Sequence, residues 1–360
     1  MKTKIIIMMT CLAVILAGII MTLWYFSRPI LIGAILPIES LTGNEANLFI
    51  RYYQDKNPKI GFRPIKFIIE DSAIKEDAVK NAYRKLNDQG VSFIIGGVLS
   101  KDAGWLAEES AKTGIPTFGI APSSALLSGK KDGFFRLCQT NAIQAKAVAM
   151  YYQKVGVKRL VLVTSLDNIL YVDPFVKAIS ENFSGEIVRI PFTPNEETYQ
   201  NILSADPDGI FNILPARDVL QMLKAVREHR PNIKFGCSAW ASDEILNLYS
   251  GPLLDGVLFF SLSKEIHGEL YKTELAEFEK KYNMKATNAS QYTVSILHIL
   301  YESIREVGYS RAAIKTYFET PRTYDTCYGK MAMDDYGDVL TDRTIILETT
   351  KGTMKKKENL

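Results

Sequence analysis

Ser100, Ser123 and Ser124 are the residues of this chain best placed to do chemistry, and that chemistry is capture rather than catalysis. Ser100 follows Gly96-Gly97, and Ser123-Ser124 follow Ala121-Pro122. Loops of such small residues expose hydroxyls and backbone N–H groups, which suit a small polar ligand. The same hydroxyls could serve as helix caps. The two uses are compatible, because a helix N-terminus is itself an anion site. Neither loop offers a Cys, a His or a pair of carboxylates. With three His in the whole chain, no nucleophile–base arrangement can be assembled. The chain is therefore read as a non-enzyme, with no cofactor and no metal.

The elements around these loops explain why they meet. An apolar strand at 93–95 ends at the first loop, a helix follows over 103–113, and Gly114 stops it. Pro116 leads into a second apolar strand that runs out at the second loop. Two parallel strands joined by a helix put both loops at strand carboxyl ends, where open α/β sheets bind ligands. The same alternation fills the chain. Strands are expected at 30–36 and 65–71, with helices at 44–55 and up to Asn87. After Phe134-Phe135-Arg136 it restarts with strands at 159–164, 186–190, 209–213, 233–237 and 256–261. Helices are expected between them, including 173–183, 196–203, 217–229 and 243–248. The apolar face of 289–307, formed by Val294, Leu297, Tyr301 and Ile304, needs a sheet to cover, and His298 on that helix is read as a packed side chain. Residues 328–347 are expected to form a hairpin around an acidic turn.

At 360 residues the chain suits two lobes, and 47% hydrophobic content supplies a core for each. A formal net charge of +3 gives no sign of a nucleic-acid partner. The basic residues Lys351 and Lys355 to Lys357 are read as a solvated tail. Residues 5–26 carry no charge and follow Lys2 and Lys4, so an uncleaved membrane anchor is expected, with everything after Arg28 exported. A cleaved signal peptide and a lipid anchor at Cys11 are the alternatives. Outside that segment Cys138, Cys237 and Cys327 allow at most one bridge and are read as buried thiols.

The sequence resembles the type I periplasmic binding proteins, in their branched-chain amino-acid-binding branch of ABC-importer receptors. The likeness rests on Ile32-Gly33 through Leu36-Pro37 with Thr42-Gly43, on Glu70-Asp71, and on Ile95-Gly96-Gly97 with Ser100. It continues through Ala121-Pro122-Ser123-Ser124, Tyr171, and the run Tyr328-Gly329-Lys330 to Asp334-Asp335-Tyr336-Gly337-Asp338. Six weak motifs in the family's order cover essentially the whole exported chain.

The resemblance implies an α/β clamshell, two doubly wound parallel-sheet lobes joined by a three-crossover hinge and preceded by one N-terminal transmembrane helix. The implied division is 1–28 anchor or signal sequence, 29–141 and 264–323 lobe one, 142–263 and 324–350 lobe two, and 351–360 basic tail. Crossovers are implied near 139–144, 262–265 and 321–325. The implied ligand residues are Ser100, Ser123, Ser124, Ala125, Tyr171, Ser238 and Trp240. Ala125 stands where the family usually has Thr or Ser. Ser238 stands where amino-acid binders tend to carry an acid for the ligand's ammonium, so either Asp167 or Asp243 supplies that charge or the ligand is not an α-amino acid. Trp240 suits an aromatic or apolar ligand part, or the core. The implied partners are a small carboxylate ligand and an ABC permease. The alternative is a membrane-tethered sensing ectodomain acting on a signalling protein.

Overall fold

Strands that are nearly continuous Ile, Val and Phe are buried on both faces. Alternating with helices of one apolar stripe, they close into parallel sheets covered by helices. Two such sheets form in the computed structural model, which describes residues 2–359 apart from 243–248, 250, 262–265 and 342–343.

An N-terminal helix α1 (Lys2–Ser27) leads into the first lobe. The lobe's opening stretch is β1 (Ile30–Leu36), α2 (Leu41–Lys56), β2 (Lys59–Ile60), β3 (Arg63–Asp71), α3 (Glu76–Asp88), β4 (Phe93–Gly96), α4 (Ser100–Thr113), β5 (Thr117–Gly119) and β6 (Phe134–Arg136). The sheet order is β2-β3-β1-β4-β5-β6, parallel except at β2. The period-2 pleat sorts the core: Phe93 and Ile95 join the cluster of Phe49, Leu297 and Phe318, while Ile94 joins Val79, Leu86 and Leu106 on the other face. Gly97 lets α4 approach β4, since a Cβ there would stand 2.9 Å from that of Ala103.

The second lobe runs α5 (Asn141–Lys154), β7 (Arg159–Thr164), α6 (Ile169–Asn182), β8 (Glu186–Pro191), α7 (Glu196–Ser204), β9 (Gly209–Ile213), α8 (Ala216–His229), β10 (Lys234–Cys237) and β11 (Leu258–Ser261). Helices α9 (Glu269–Tyr282), α10 (Asn288–Val307) and α11 (Arg311–Phe318) return to the first sheet, where Phe278, Leu297 and Phe318 share its buried cluster. His298 lies in α10 with its Nε2 2.7 Å from Glu274 Oε2 and Tyr53 and Tyr271 edge-on to its ring.

The final segment keeps the expected acidic turn, across which Met333 bridges Val339 antiparallel and Leu340 N–H donates to Ala332 O at 2.8 Å, but the expected return strand at 345–347 pairs elsewhere. Strand β13 (Gly329–Met333) pairs with β12 (Arg322–Thr326), and Tyr324, Met331 and Met333 alternate inward against the first core. Strand β14 (Ile345–Thr350) instead adds antiparallel to β11, and β15 (Thr353–Asn359) adds to β14, giving the order β15-β14-β11-β10-β9-β7-β8. The chain thus passes to the second sheet after Val339, which still packs in the first core, rather than near 321–325. The expected basic tail is this edge strand, with Lys357 paired to Glu348 at 2.8 Å; lysines are common on edges because they block further pairing. Helix α6 begins four residues before its expected start. The expected helix at 243–248 and crossover at 262–265 lie outside the described residues.

Cys11, Cys138, Cys237 and Cys327 are all free thiols, the last three buried. Among the described residues no helix is long and apolar enough to cross a membrane. In α1 the described side chains are those of residues 9–21 and Ser27, all exposed, and the remainder of the expected span at 5–26 lies outside them.

Candidate ligand-binding site

In a parallel sheet the next helix starts where its strand ends, so loops and helix N-termini gather on one edge. Both edges line a single cavity of about 290 Å³. From the first sheet come Ser40 and Thr42 after β1, Ser100 after β4 and Ser123 after β5. From the second come Asn168 and Tyr171 after β7, Pro215 after β9 and Trp240 after β10. Gln139 and Gln144, on the first crossover and the start of α5, complete the wall with Tyr292 of α10. Among the described residues no charged side chain lines it.

Of the expected residues, Ser100, Ser123, Tyr171 and Trp240 meet at this cavity. The Ser100 Oγ accepts from the Ser124 N–H at 3.2 Å, which leaves its own proton for a ligand. Trp240 stands edge-on to Tyr171, centroids 5.7 Å apart. Burial raises the Tyr171 phenol far above its ordinary range, countered in part by the nearby Ser238 hydroxyl.

The cavity does not take in Ser124, Ala125 or Ser238. Ser124 is fully buried; its Oγ donates to the Leu170 carbonyl at 2.5 Å and accepts from Leu126 N–H at 3.2 Å. The cause sits one turn along α6. Pro174 has no N–H to give the carbonyl four residues back, so Leu170 takes its hydrogen bond from the other lobe. Ala125 N–H is spent on Asn141 Oδ1 at 3.1 Å, and Asn141 Nδ2 donates to Tyr171 O at 2.7 Å. Ser238 is fully buried, and its Oγ closes no hydrogen bond of ordinary geometry. Asp167 is exposed and outside the cavity; Asp243 lies outside the described residues.

Three cavity residues carried no signal in the sequence. Gln139, Gln144 and Asn168 are each at least nine-tenths buried, yet Gln139 Oε1 and Nε2, Gln144 Oε1 and Asn168 Oδ1 have no hydrogen-bond partner. Asn168 occupies the N-cap position of α6 without using its side chain to cap it.

Buried charges hold the walls from behind. Arg136, 1% exposed, pairs with Asp338 at 2.8 Å and donates to the Pro122 and Ser124 carbonyls at 3.1 and 2.7 Å. The serine loop is thereby tied to the turn after β13. Gly337 in that turn has φ +81°, and a Cβ there would stand 2.2 Å from Phe135. Glu45 takes the Thr287 N–H and hydroxyl at 2.7 and 2.6 Å, occupying the N-terminus of α10; its burial raises the pKa of its carboxyl. Asp102 accepts from Leu99 N–H at 2.9 Å beside the cavity wall, and complete burial pushes its pKa up to about 7.

The sequence profile of the family described as periplasmic binding protein matches residues 41–353. No curated protein matches the chain. The fold is similar to that of a leucine-binding protein from Thermotoga maritima, at 19% identity and TM-score 0.81 over 92% of this chain and 98% of that one. A branched-chain amino acid transporter substrate-binding protein from Streptococcus pneumoniae, solved with isoleucine, is 15% identical with TM-score 0.81, covering 92% and 99%. A solute-binding protein from R. palustris, solved with benzoate, is 18% identical with TM-score 0.79, covering 92% and 96%.

Proposed function

The chain belongs to the periplasmic binding protein family, and from that premise we propose that it is the extracytoplasmic solute receptor of an ABC importer, closing two lobes on a small carboxylate. The observation that carries this reading is a cavity walled by both lobes and lined by no charged side chain among the described residues. Among the described residues, electrostatic support for a charged ligand comes from the backbone. Helices α4, α6 and α8 start at cavity-lining residues, and α6 and α8 have no side-chain cap. The dipoles of α6 and α8 favour an anion, whereas at the start of α4 the Asp102 carboxyl already takes the Leu99 N–H. Ser100 and Ser123 add hydroxyl donors.

An ammonium group finds no such support. No carboxylate faces the cavity among the described residues, and a buried cation without a partner costs several kcal/mol. The ligand is therefore an acid with an uncharged remainder, and Tyr171, Trp240 and Tyr292 suit an aromatic one. The structural relatives solved with isoleucine and with benzoate bracket the two choices. Helix α1 is proposed as a membrane anchor, which would tether the receptor beside its permease.

Calorimetry on the exported domain tests the ligand class by comparing an amino acid with its deaminated analogue. The deaminated acid is expected to bind tighter. Preference for the amino acid would overturn the ligand class, and failure of every small acid and amino acid to bind would overturn the receptor reading.

A further inference from the structure

We infer that Leu170 of the second lobe and Gly104 of the first form a latch that draws the lobes together without help from a ligand. The inference goes beyond the receptor reading, because neither residue lines the cavity and the latch acts whatever solute is captured. Leu170 belongs to lobe two by chain, as the second residue of α6, yet it packs against the lobe-one cluster that holds Ala103, Leu106 and Leu127. The next two residues, Tyr171 and Val172, turn back into the lobe-two core. One lobe thus lends an apolar side chain to the core of the other.

Helix α4 is shaped to receive it. Glycine weakens a helix interior, because it loses the most backbone freedom on folding and brings no side chain to pack. Gly104 nonetheless stands in the second turn of α4, and a Cβ there would lie 2.8 Å from Leu170 Cδ2. The missing methyl is the notch. Ser124 Oγ completes the contact by donating to the Leu170 carbonyl at 2.5 Å. Side chain and backbone of one residue are therefore both held by the opposite lobe.

Position makes this contact sensitive to closure. Leu137 and Cys138, leading into the first crossover, and Tyr324, Met331 and Val339, along the last, pack in the cluster on the α10 face of the first sheet. Leu170 reaches the cluster on the opposite face. A rotation about the crossovers that opens the cleft draws Leu170 away from α4 and puts its apolar surface in water, which opposes opening. A solute that needs the closed form then binds more tightly, in proportion to the fraction already closed.

The test is the distance between two spin labels on the full chain, in detergent and without ligand, measured by pulsed electron resonance. The labels go on Lys112→Cys in α4 and Lys177→Cys in α6, both exposed, in a chain carrying Cys11→Ser; the other native thiols are buried. Without further change the protein is expected to show mainly the separation that the closed structure gives. Gly104→Leu, which wedges the notch, and Leu170→Ala, which empties it, should each make a longer separation the main population, while Leu170→Met should keep the shorter one. Leucine is a better helix residue than glycine, so Gly104→Leu should not lower the urea midpoint, which separates opening from misfolding. Should that variant fail to fold, Leu170→Ala alone decides. Mainly long separations with the latch residues intact, or a distribution left unchanged by either folded variant, would overturn the latch. Because no ligand is present, failure to find a solute that binds would count against the receptor reading and leave this result standing.

Discussion

Among the serines, geometry separates two roles that their sequence positions merge. Ser100 and Ser123 face the cavity, and changing both to Ala should weaken binding of a carboxylate by about 1.5–3 kcal/mol, the range for hydrogen bonds to a charged group, with little change in melting temperature. Calorimetry beside thermal unfolding checks both halves of that expectation. Asp102 gives a pH signature. Its buried carboxyl titrates near 7 in the fold against an ordinary value of 3.8, so between those values the folded protein holds a proton that the unfolded chain has released. Stability contributed by this group is present below about pH 4 and lost as pH rises to about 7, by as much as about 4 kcal/mol. Asp102→Asn should flatten that part of a urea-stability profile; an unchanged slope would rule the residue out as its source. Ser100 and Ser123 were legible in the sequence because strand-end loops follow from hydrophobic pattern, and Tyr171 only through the family resemblance. Gln139, Gln144 and Asn168 were not, since a polar amide looks like surface until the path of the crossover turns it inward.

Elements were legible wherever local pattern decides them, and β7 and β9 sit at their expected bounds. Pairing was legible only where it follows the βα alternation. Strand β13 failed because its partner is chosen by how Tyr324 and Met331 fit beside Phe318, a contact that no local signal reports. The start of α6 failed because Pro174 reads as a first-turn residue, whereas the helix tolerates it further in by lending the Leu170 carbonyl to Ser124. That exchange predicts a coupling. Ser124→Ala should cost about 1–2 kcal/mol in the native background, and about 1 kcal/mol less in Pro174→Ala, where residue 174 regains an N–H for Leu170. A double-mutant cycle by urea denaturation measures it, and purely additive effects would show that the carbonyl is not the link. At β6, Arg136→Met strands the Asp338 carboxylate and the carbonyls that cradle the serine loop. A stability loss of about 3–5 kcal/mol is expected by the same measurement, with ligand affinity falling alongside.

For the molecule as a whole, the question is how the receptor is held. Helix α1 spans Lys2–Ser27, and β1 begins at Ile30, so only Arg28 and Pro29 separate the helix from the first sheet. Arg63 Nε donates to the Arg28 carbonyl at 3.2 Å, which fixes the junction to the edge of lobe one. The uncharged run 5–26 carries the proposal that α1 is an anchor, since no helix among the described residues is long and apolar enough to cross a membrane; the 26 residues of α1 extend about 39 Å. A joint that short would hold lobe one at the bilayer surface and leave lobe two to move as the cleft opens and closes, since closure is a hinge motion driven by contacts to both lobes. Such a receptor would meet a permease by lateral diffusion rather than by travel through the surrounding fluid. The expected outcome is that protein recovered from membranes resists salt and alkaline washing, needs detergent for release, and retains Met1 or Lys2 at its N-terminus. Recovery in the soluble fraction with an N-terminus near Arg28 would mean that the segment is a leader, and the receptor would then be a freely diffusing one with the same cavity.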